Sequence, residues 1–256
     1  MNETTAPKIL IAGTGISNVS LAETMDLFDQ WIASGQKKRV CVTPVNCVVW
    51  ANTDAALRRI YNEADLTLCD GVPLLWSARF LGKKLKGRVT GLDLLPQYAA
   101  RAATKGHRMF LLGAKEGVGA SLARHLEATN PGTQICGIYV PPMMSRFSAE
   151  ENDKMIAAVN AAAPDILWVS LTAPKQDFWI AENFHRLNAK VMVGVGGAFE
   201  VTAGMIERAP EWMQKAGAEW FYRLQKEPKR MWRRYLVEAP RIVPMLLKQR
   251  LGKQAS

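Results

Sequence analysis

Asp70 ends the apolar run Leu66–Cys69 and is followed at once by Gly71. A carboxylate at the end of a strand, beside a glycine turn, can face a ligand cleft and take a proton from an attacking hydroxyl. It can equally cap the helix that begins near Pro73. Thr43 and Asn46, in Thr43-Pro44-Val45-Asn46, can hydrogen-bond a sugar hydroxyl or a uracil edge, or serve a turn around Pro44. Arg88 carries a fork suited to phosphate or carboxylate, and Thr90 or Asp93 is placed to cap the next helix. Gly113 and the turn Gly194-Val195-Gly196-Gly197 each follow an apolar run, and such turns let backbone N–H groups approach a phosphate. In Leu171-Thr172-Ala173-Pro174-Lys175-Gln176-Asp177, Lys175 and a helix N-terminus can face a diphosphate, and Gln176 a base or sugar. An ordinary strand–helix loop with a solvated lysine is the alternative there.

What is missing narrows the chemistry. No glycine turn fits the dinucleotide fingerprint with its later acidic residue, and no P-loop, GxSxG or HExxH motif occurs. No acidic pair follows a strand to hold Mg²⁺ or Mn²⁺ against a diphosphate, and His107, His125 and His185 are scattered. No cofactor and no metal are therefore expected. A departing diphosphate would rely on arginines, a lysine or backbone amides. Cys41, Cys47, Cys69 and Cys136 form no CxxC pair and are expected as free, mostly buried thiols.

These residues need a scaffold, and the pattern supplies one. Short apolar runs at Ile9–Ala12, Val40–Val42, Leu66–Cys69, Met109–Leu112, Ile135–Val140, Ile166–Ser170 and Val191–Val193 read as strands. Stretches of helical period lie at Leu21–Ala33, Ala55–Glu63, Leu94–Lys105, Gly119–Thr129, Ala149–Ala162 and Gln176–Leu187. The alternation predicts an α/β fold, a mainly parallel sheet with helices on both faces. Ligands of such sheets bind at the carboxyl ends of the strands, where the candidate residues fall.

The body is expected to span residues 1–204, and residues 205–256 to form a helical appendage. The appendage holds Trp212, Trp220 and Trp232, and Pro210, Pro228, Pro240 and Pro244 are expected to break it into short helices. From Arg208 onward, twelve basic residues face four acidic ones, so eight of the ten net positive charges lie there. Such a segment seeks an anionic partner. On an α-helix Arg230, Arg233 and Arg234 share one face, with Trp232, Tyr235 and Leu236 roughly opposite. Ile242, Val243, Met245, Leu246 and Leu247, flanked by Arg241, Lys248 and Arg250, suit a bilayer interface or a helical pair packed on the body. No run of about 18 apolar residues occurs, and the N-terminus lacks a basic region before its apolar stretch. The expected location is the cytoplasm, peripherally attached to the inner face of the membrane. A nucleic-acid role is disfavoured: no recognisable binding module is present, and the tail ends in aliphatic residues.

Taken in order, the pieces resemble the WecG/TagA/CpsF family of bacterial glycosyltransferases. The resemblance runs from about Val40 to Tyr235. It rests on Thr43-x-x-Asn46, Cys69-Asp70-Gly71, Arg88-x-x-Gly91-x-Asp93-Leu94, Leu111-Leu112-Gly113, Ala173-Pro174-Lys175-Gln176, Gly194-x-Gly196-Gly197-x-Phe199, Arg208-Ala209-Pro210-x-Trp212 and Glu219-Trp220-x-Tyr222-Arg223 through Glu227-Pro228-x-Arg230. It implies a Rossmann-like core and an inverting, metal-independent transfer from a UDP-sugar, of N-acetylmannosamine type, to a sugar on undecaprenyl diphosphate. It implies Asp70 as base, with Thr43, Asn46, Arg88, Gly113, Gln176, Gly194 and Gly196 at the substrates and Arg223, Arg230 and Arg233 reaching a diphosphate. Asp177 and Glu200 replace the family's usual Glu and Asp, and Thr172 stands where Gly is common. A non-catalytic UDP-sugar-binding protein at the membrane is the other reading, and a homo-oligomer is compatible with either.

Overall fold

A computed structural model describes residues 6–215 and 217–252, with the side chains of Lys215 and Arg230 outside the described set. The strands are β1 (Lys8–Ile11), β2 (Thr14–Ser17), β3 (Lys38–Pro44), β4 (Leu66–Asp70), β5 (Arg108–Gly113), β6 (Gln134–Tyr139), β7 (Ile166–Ser170) and β8 (Val191–Gly194). Six of them form one parallel sheet in the order β4-β3-β8-β7-β5-β6. The expected Rossmann-like arrangement is present. Along β7, Ile166 and Trp168 join a core with Phe28 and Tyr98, while Leu167 and Val169 join one with Ile156 and Trp179. Both faces are covered, which is why the strands are apolar throughout rather than alternating.

The first expected strand lies elsewhere. β1 pairs with β2 in a separate antiparallel hairpin. Its turn residues Ala12 (φ 47) and Gly13 (φ 85) both take positive φ, the geometry a two-residue hairpin requires.

The helices of the body are α1 (Leu21–Ala33), α2 (Val45–Thr53), α3 (Ala55–Glu63), α4 (Val72–Phe80), α5 (Gly91–Lys105), α6 (Val118–Thr129), α7 (Ala149–Ala162), α8 (Lys175–Asn183) and α9 (Ala198–Thr202). α2 was not legible as a helix. Val45, Cys47, Val48, Val49 and Ala51 are all buried, so it is apolar all round and shows no 3.6-residue period. α8 ends at Asn183, one turn short of the expected Leu187.

Beyond the body come α10 (Glu211–Lys215), α11 (Glu219–Lys226) and α12 (Pro228–Trp232). Pro228 opens α12, as its fixed φ favours. Pro240 and Pro244 do not break the chain. Helical backbone continues through a π-helical stretch, Arg233–Glu238, and a 3₁₀ turn, Ala239–Arg241, into α13 (Ile242–Gly252). The widened stretch lies just before Pro240, whose ring and missing N–H disturb the regular ladder there. On α13, Ile242 and Leu246 enter the same core as Ile11, Ile16, Val45, Val48 and Leu74. Each such burial stabilises by about 1.5–3 kcal/mol. Gln249 accepts from the Ala12 N–H at 2.8 Å and donates to the Leu10 carbonyl at 2.9 Å. The tail is thus fastened to the N-terminal hairpin. Among the described residues no helix is long and apolar enough to cross a membrane.

Candidate active site

A cavity of about 540 Å³ opens at the carboxyl ends of β3, β4, β7 and β8, roofed by α11, α12 and the π-helical stretch. In the parallel register Pro44 of β3 lies opposite Asp70 of β4. The same two strand ends carry Asn46, on the first turn of α2, and Gly71, which starts α4. Gly71 has φ 108 and is the N-cap of α4, with no side-chain cap bond. The capping alternative for Asp70 is therefore removed. Its carboxylate accepts no hydrogen bond among the described residues and borders the cavity. Burial pushes its pKa above the ordinary carboxylate value, opposed by the guanidinium groups of Arg234 and Arg223 and reinforced by Glu219 and Asp93. A proton acceptor strengthened in this way suits a general base.

Most of the expected residues meet here. Asn46, Asp70, Arg88, Gln176, Gly196, Arg223 and Arg233 all line the cavity. Asn46 caps nothing; Pro44 holds that position without a side-chain bond. Its Oδ1 instead accepts from Arg234 Nε at 3.0 Å. Arg88 is set between Asp93, at 4.0 Å, and Glu219, at 3.7 Å. Arg208 reaches the same two carboxylates, at 2.8 Å and 3.4 Å. This alternating set ties the tail to the start of α5, where Thr90 is the cap, accepting from the Asp93 N–H at 3.1 Å.

Gln176 is almost wholly buried, and its Oε1 accepts from the Gly196 N–H at 2.9 Å. Ser170 Oγ donates to the Gly196 carbonyl at 2.6 Å, so both sides of that turn are held. Gly196 has φ 57. Gly194 supports the site indirectly. A Cβ there would stand 2.8 Å from Gln176 Nε2, so glycine leaves the space that Gln176 fills.

Three expectations fall differently. Thr43 is fully buried, its hydroxyl donates to the Cys41 carbonyl at 3.3 Å, and it does not line the cavity. Gly113, with φ 103, also lies off the cavity wall. A Cβ on it would meet the Ser170 carbonyl oxygen at 2.4 Å, so close approach of β5 and β7 explains the glycine. Lys175 does not face the cavity; it donates to the Met144 carbonyl and sits 3.7 Å above the Phe147 ring. The side chain of Arg230 lies outside the described residues.

The predicted split of the tail into an arginine side and an apolar side is also replaced. Arg233, Arg234, Tyr235 and Leu236, all in the π-helical stretch, border the cavity together. Trp50, Trp76, Glu219, Trp220 and Arg234 line it too. Glu219, Trp220 and Arg234 stood in recognisable motifs or faces without an assigned task. Trp50 had no signal, since α2 was not recognised. Thr172, also on the wall, takes φ 68, a conformation that favours glycine.

Behind Gln176, Asp177 is buried and accepts from the Tyr61 hydroxyl at 3.1 Å. Burial pushes its pKa up to about 7, with Tyr61, Cys41 and Arg39 acting in the opposite sense. The folded state then keeps a proton that the unfolded chain releases near the ordinary carboxylate value. Stability present at pH 4 is lost as pH rises toward 7. Asp177→Asn is expected to remove that slope and to stabilise the protein at pH 8 by about 4 kcal/mol at most. Thermal melts at pH 4 and pH 8 check this; equal shifts at both would contradict it.

Cys41, Cys47 and Cys69 are buried and Cys136 is partly so, all free, as expected. Among the described residues no group of three His, Cys, Asp or Glu side chains is arranged to hold a metal ion.

The family model for the glycosyl transferase WecG/TagA/CpsF family matches residues 9–256. A Bacillus spizizenii protein named N-acetylglucosaminyldiphosphoundecaprenol N-acetyl-beta-D-mannosaminyltransferase is 32% identical over 189 residues, covering 74% of this chain and 70% of its own. Proteins of the same name from Bacillus subtilis and Staphylococcus aureus are 31% identical, covering 76% and 73%, and 26% identical, covering 88% and 87%.

Proposed function

The chain belongs to the WecG/TagA/CpsF family of glycosyltransferases, and on that premise we propose that it moves an N-acetylmannosamine-type sugar from UDP to a sugar on undecaprenyl diphosphate, with inversion and without a metal. The observation that carries this reading is Asp70. It stands at a strand end, its carboxylate accepting no hydrogen bond among the described residues and bordering a cavity that Arg88, Arg223 and Arg234 also line. Asp70 takes the proton of the acceptor hydroxyl as its oxygen attacks the anomeric carbon. The bond from that carbon to the UDP oxygen breaks on the opposite face. Arg88 and Arg223, with Arg233 at the rim, offset the charge growing on the diphosphate. Gln176 holds the Gly196 turn against the donor, and Asn46 borders the same wall. Gly194 leaves the space that Gln176 fills, Thr43 and Gly113 have no place at the substrates, and Arg230 is assigned to a diphosphate on resemblance alone.

The acceptor's lipid places the reaction at a membrane surface, and α13 has a face for it. Val243, Leu247 and Leu251, four residues apart, are 54%, 46% and 63% exposed, beside Lys248 and Arg250. Trp76, Phe80, Trp232 and Leu236 are exposed as well, and Arg250 lies 4.8 Å over the Phe80 ring. Apolar groups flanked by cations fit an anionic bilayer interface.

The test is UDP release from a panel of UDP-sugars, with a short-chain lipid-diphosphate-GlcNAc acceptor, with and without EDTA. Release is expected with an N-acetylmannosamine-type donor, only when acceptor is present and undiminished by EDTA. Donor binding with no acceptor-dependent release would leave the non-catalytic reading standing instead.

A further inference from the structure

Arg233 and Arg234 are neighbours in sequence with opposite surroundings. Arg233 is 74% exposed and its Nε lies 3.5 Å from Glu238. Arg234 turns inward, where Nε donates to Asn46 Oδ1 at 3.0 Å. The π-helical stretch begins at Arg233, and such stretches recur at functional sites because they re-aim side chains. Asn46 itself is buried on the first turn of α2, beside the strand end paired with Asp70. The other Arg234 N–H groups have no hydrogen-bond partner among the described residues, and the side chain borders the same cavity as Asp70.

Charges reach Asp70 from every side. Arg234 comes from the π-helical stretch, Arg223 and Glu219 from α11, and Asp93 from α5. Arg88 lines the same wall, while the buried thiols of Cys47 and Cys69 are held neutral. Arg234 and Arg223 both favour the anionic form of Asp70. Arg88 is set between two carboxylates, whereas Arg234 hydrogen-bonds only a neutral amide and lies 5.9 Å over the Tyr235 ring, with no carboxylate partner among the described residues.

We propose that Arg234, aimed by Asn46, is a positioning residue for the base: from the wall of the shared cavity it supplies a counter-charge to the half-buried Asp70 carboxylate before substrate arrives. This rests on the reading of Asp70 as general base. The tail then does more than bind a diphosphate. It sets how far toward acid the enzyme stays active.

The test is the pH profile of kcat/KM for the full chain, which reports ionisation in the free enzyme. Arg234→Gln is expected to move the acid limb to higher pH. On the acid limb, below both pKa values, a displacement of one pH unit lowers kcat/KM at a given pH about tenfold. Arg234→Lys keeps the charge and is expected to leave the limb near its original place. Asn46→Ala frees the guanidinium and is expected to move the limb part of the way. A rate lowered equally at all pH values in Arg234→Gln, or a higher KM for donor with an unmoved limb, overturns the proposal and makes Arg234 a structural or diphosphate group. If Arg234→Gln does not fold, the limb of Asn46→Ala decides by the same criterion. Activity retained in Asp70→Asn would instead remove the base reading itself, a separate failure.

Discussion

Asp70→Asn is expected to lower turnover by about 10²- to 10⁴-fold, the usual contribution of a positioned general base. The amide keeps the shape of the carboxylate but cannot take the acceptor proton. Folding is expected to be intact, because the carboxylate makes no hydrogen bond among the described residues and caps no helix. Burial already disfavours its charge, so the neutral amide is expected to hold or raise the melting temperature. Donor binding is expected to change little, since the substitution leaves Arg88, Arg223 and Gln176 in place. The measurements are turnover with purified donor and lipid acceptor, a thermal melt, and UDP-sugar binding. A variant that folds, binds donor and turns over at the parent rate would exclude Asp70 as the base.

Removing residues 205–256 is expected to abolish transfer, for two separable reasons. The deletion takes away Glu219, Trp220, Arg223, Arg233 and Arg234, a whole wall of the cavity. It also uncovers Ile11, Val45, Val48 and Leu74, which pack against Ile242 and Leu246, and frees the hairpin held by Gln249. Lower stability is expected alongside lost activity. The membrane contribution is isolated by a milder change, Leu247→Glu with Leu251→Glu on the exposed face of α13. That pair is expected to weaken co-sedimentation with anionic vesicles severalfold and to slow transfer on vesicle-borne acceptor. Transfer to a short-chain, water-soluble acceptor is expected to be little changed. Unaltered vesicle binding would remove the exposed face as the docking surface while leaving the catalytic reading in place.

How much of this could be read in advance follows from the range of the forces involved. The parallel α/β core was legible because its strands are continuous apolar runs and most of its helices are periodic, which are local properties. β1 was misassigned to the main sheet because a strand's run does not say which neighbour it pairs with. α2 escaped because burial on all sides erases the period that marks a helix. Residue type and position left Asp70, Arg88 and Gln176 open between a site role and a turn, cap or surface role; the motif resemblance singled them out, and the structure puts all three on one cavity wall. Glycine gave the weakest guidance. Gly113, Gly194 and Gly196 each permit something different: a close approach of strands, room for Gln176, and a positive φ. One letter does not distinguish them.

The C-terminal segment divides the two sources most clearly. By itself the sequence determined its composition, its excess of eight positive charges, and the presence of arginines and aromatics a few residues apart. Only the tertiary structure decided which of them face the chemistry. Sequence spacing offers both Arg233 and Arg234 to an anionic ligand. In the structure both border the cavity, but Arg233 stays largely in solvent beside Glu238 while Arg234 is held inward on Asn46. Side-chain direction there depends on how the backbone adapts to a proline several residues ahead and to the docking of Ile242 and Leu246 on the far hairpin. Those are long-range constraints, and no local spacing rule contains them.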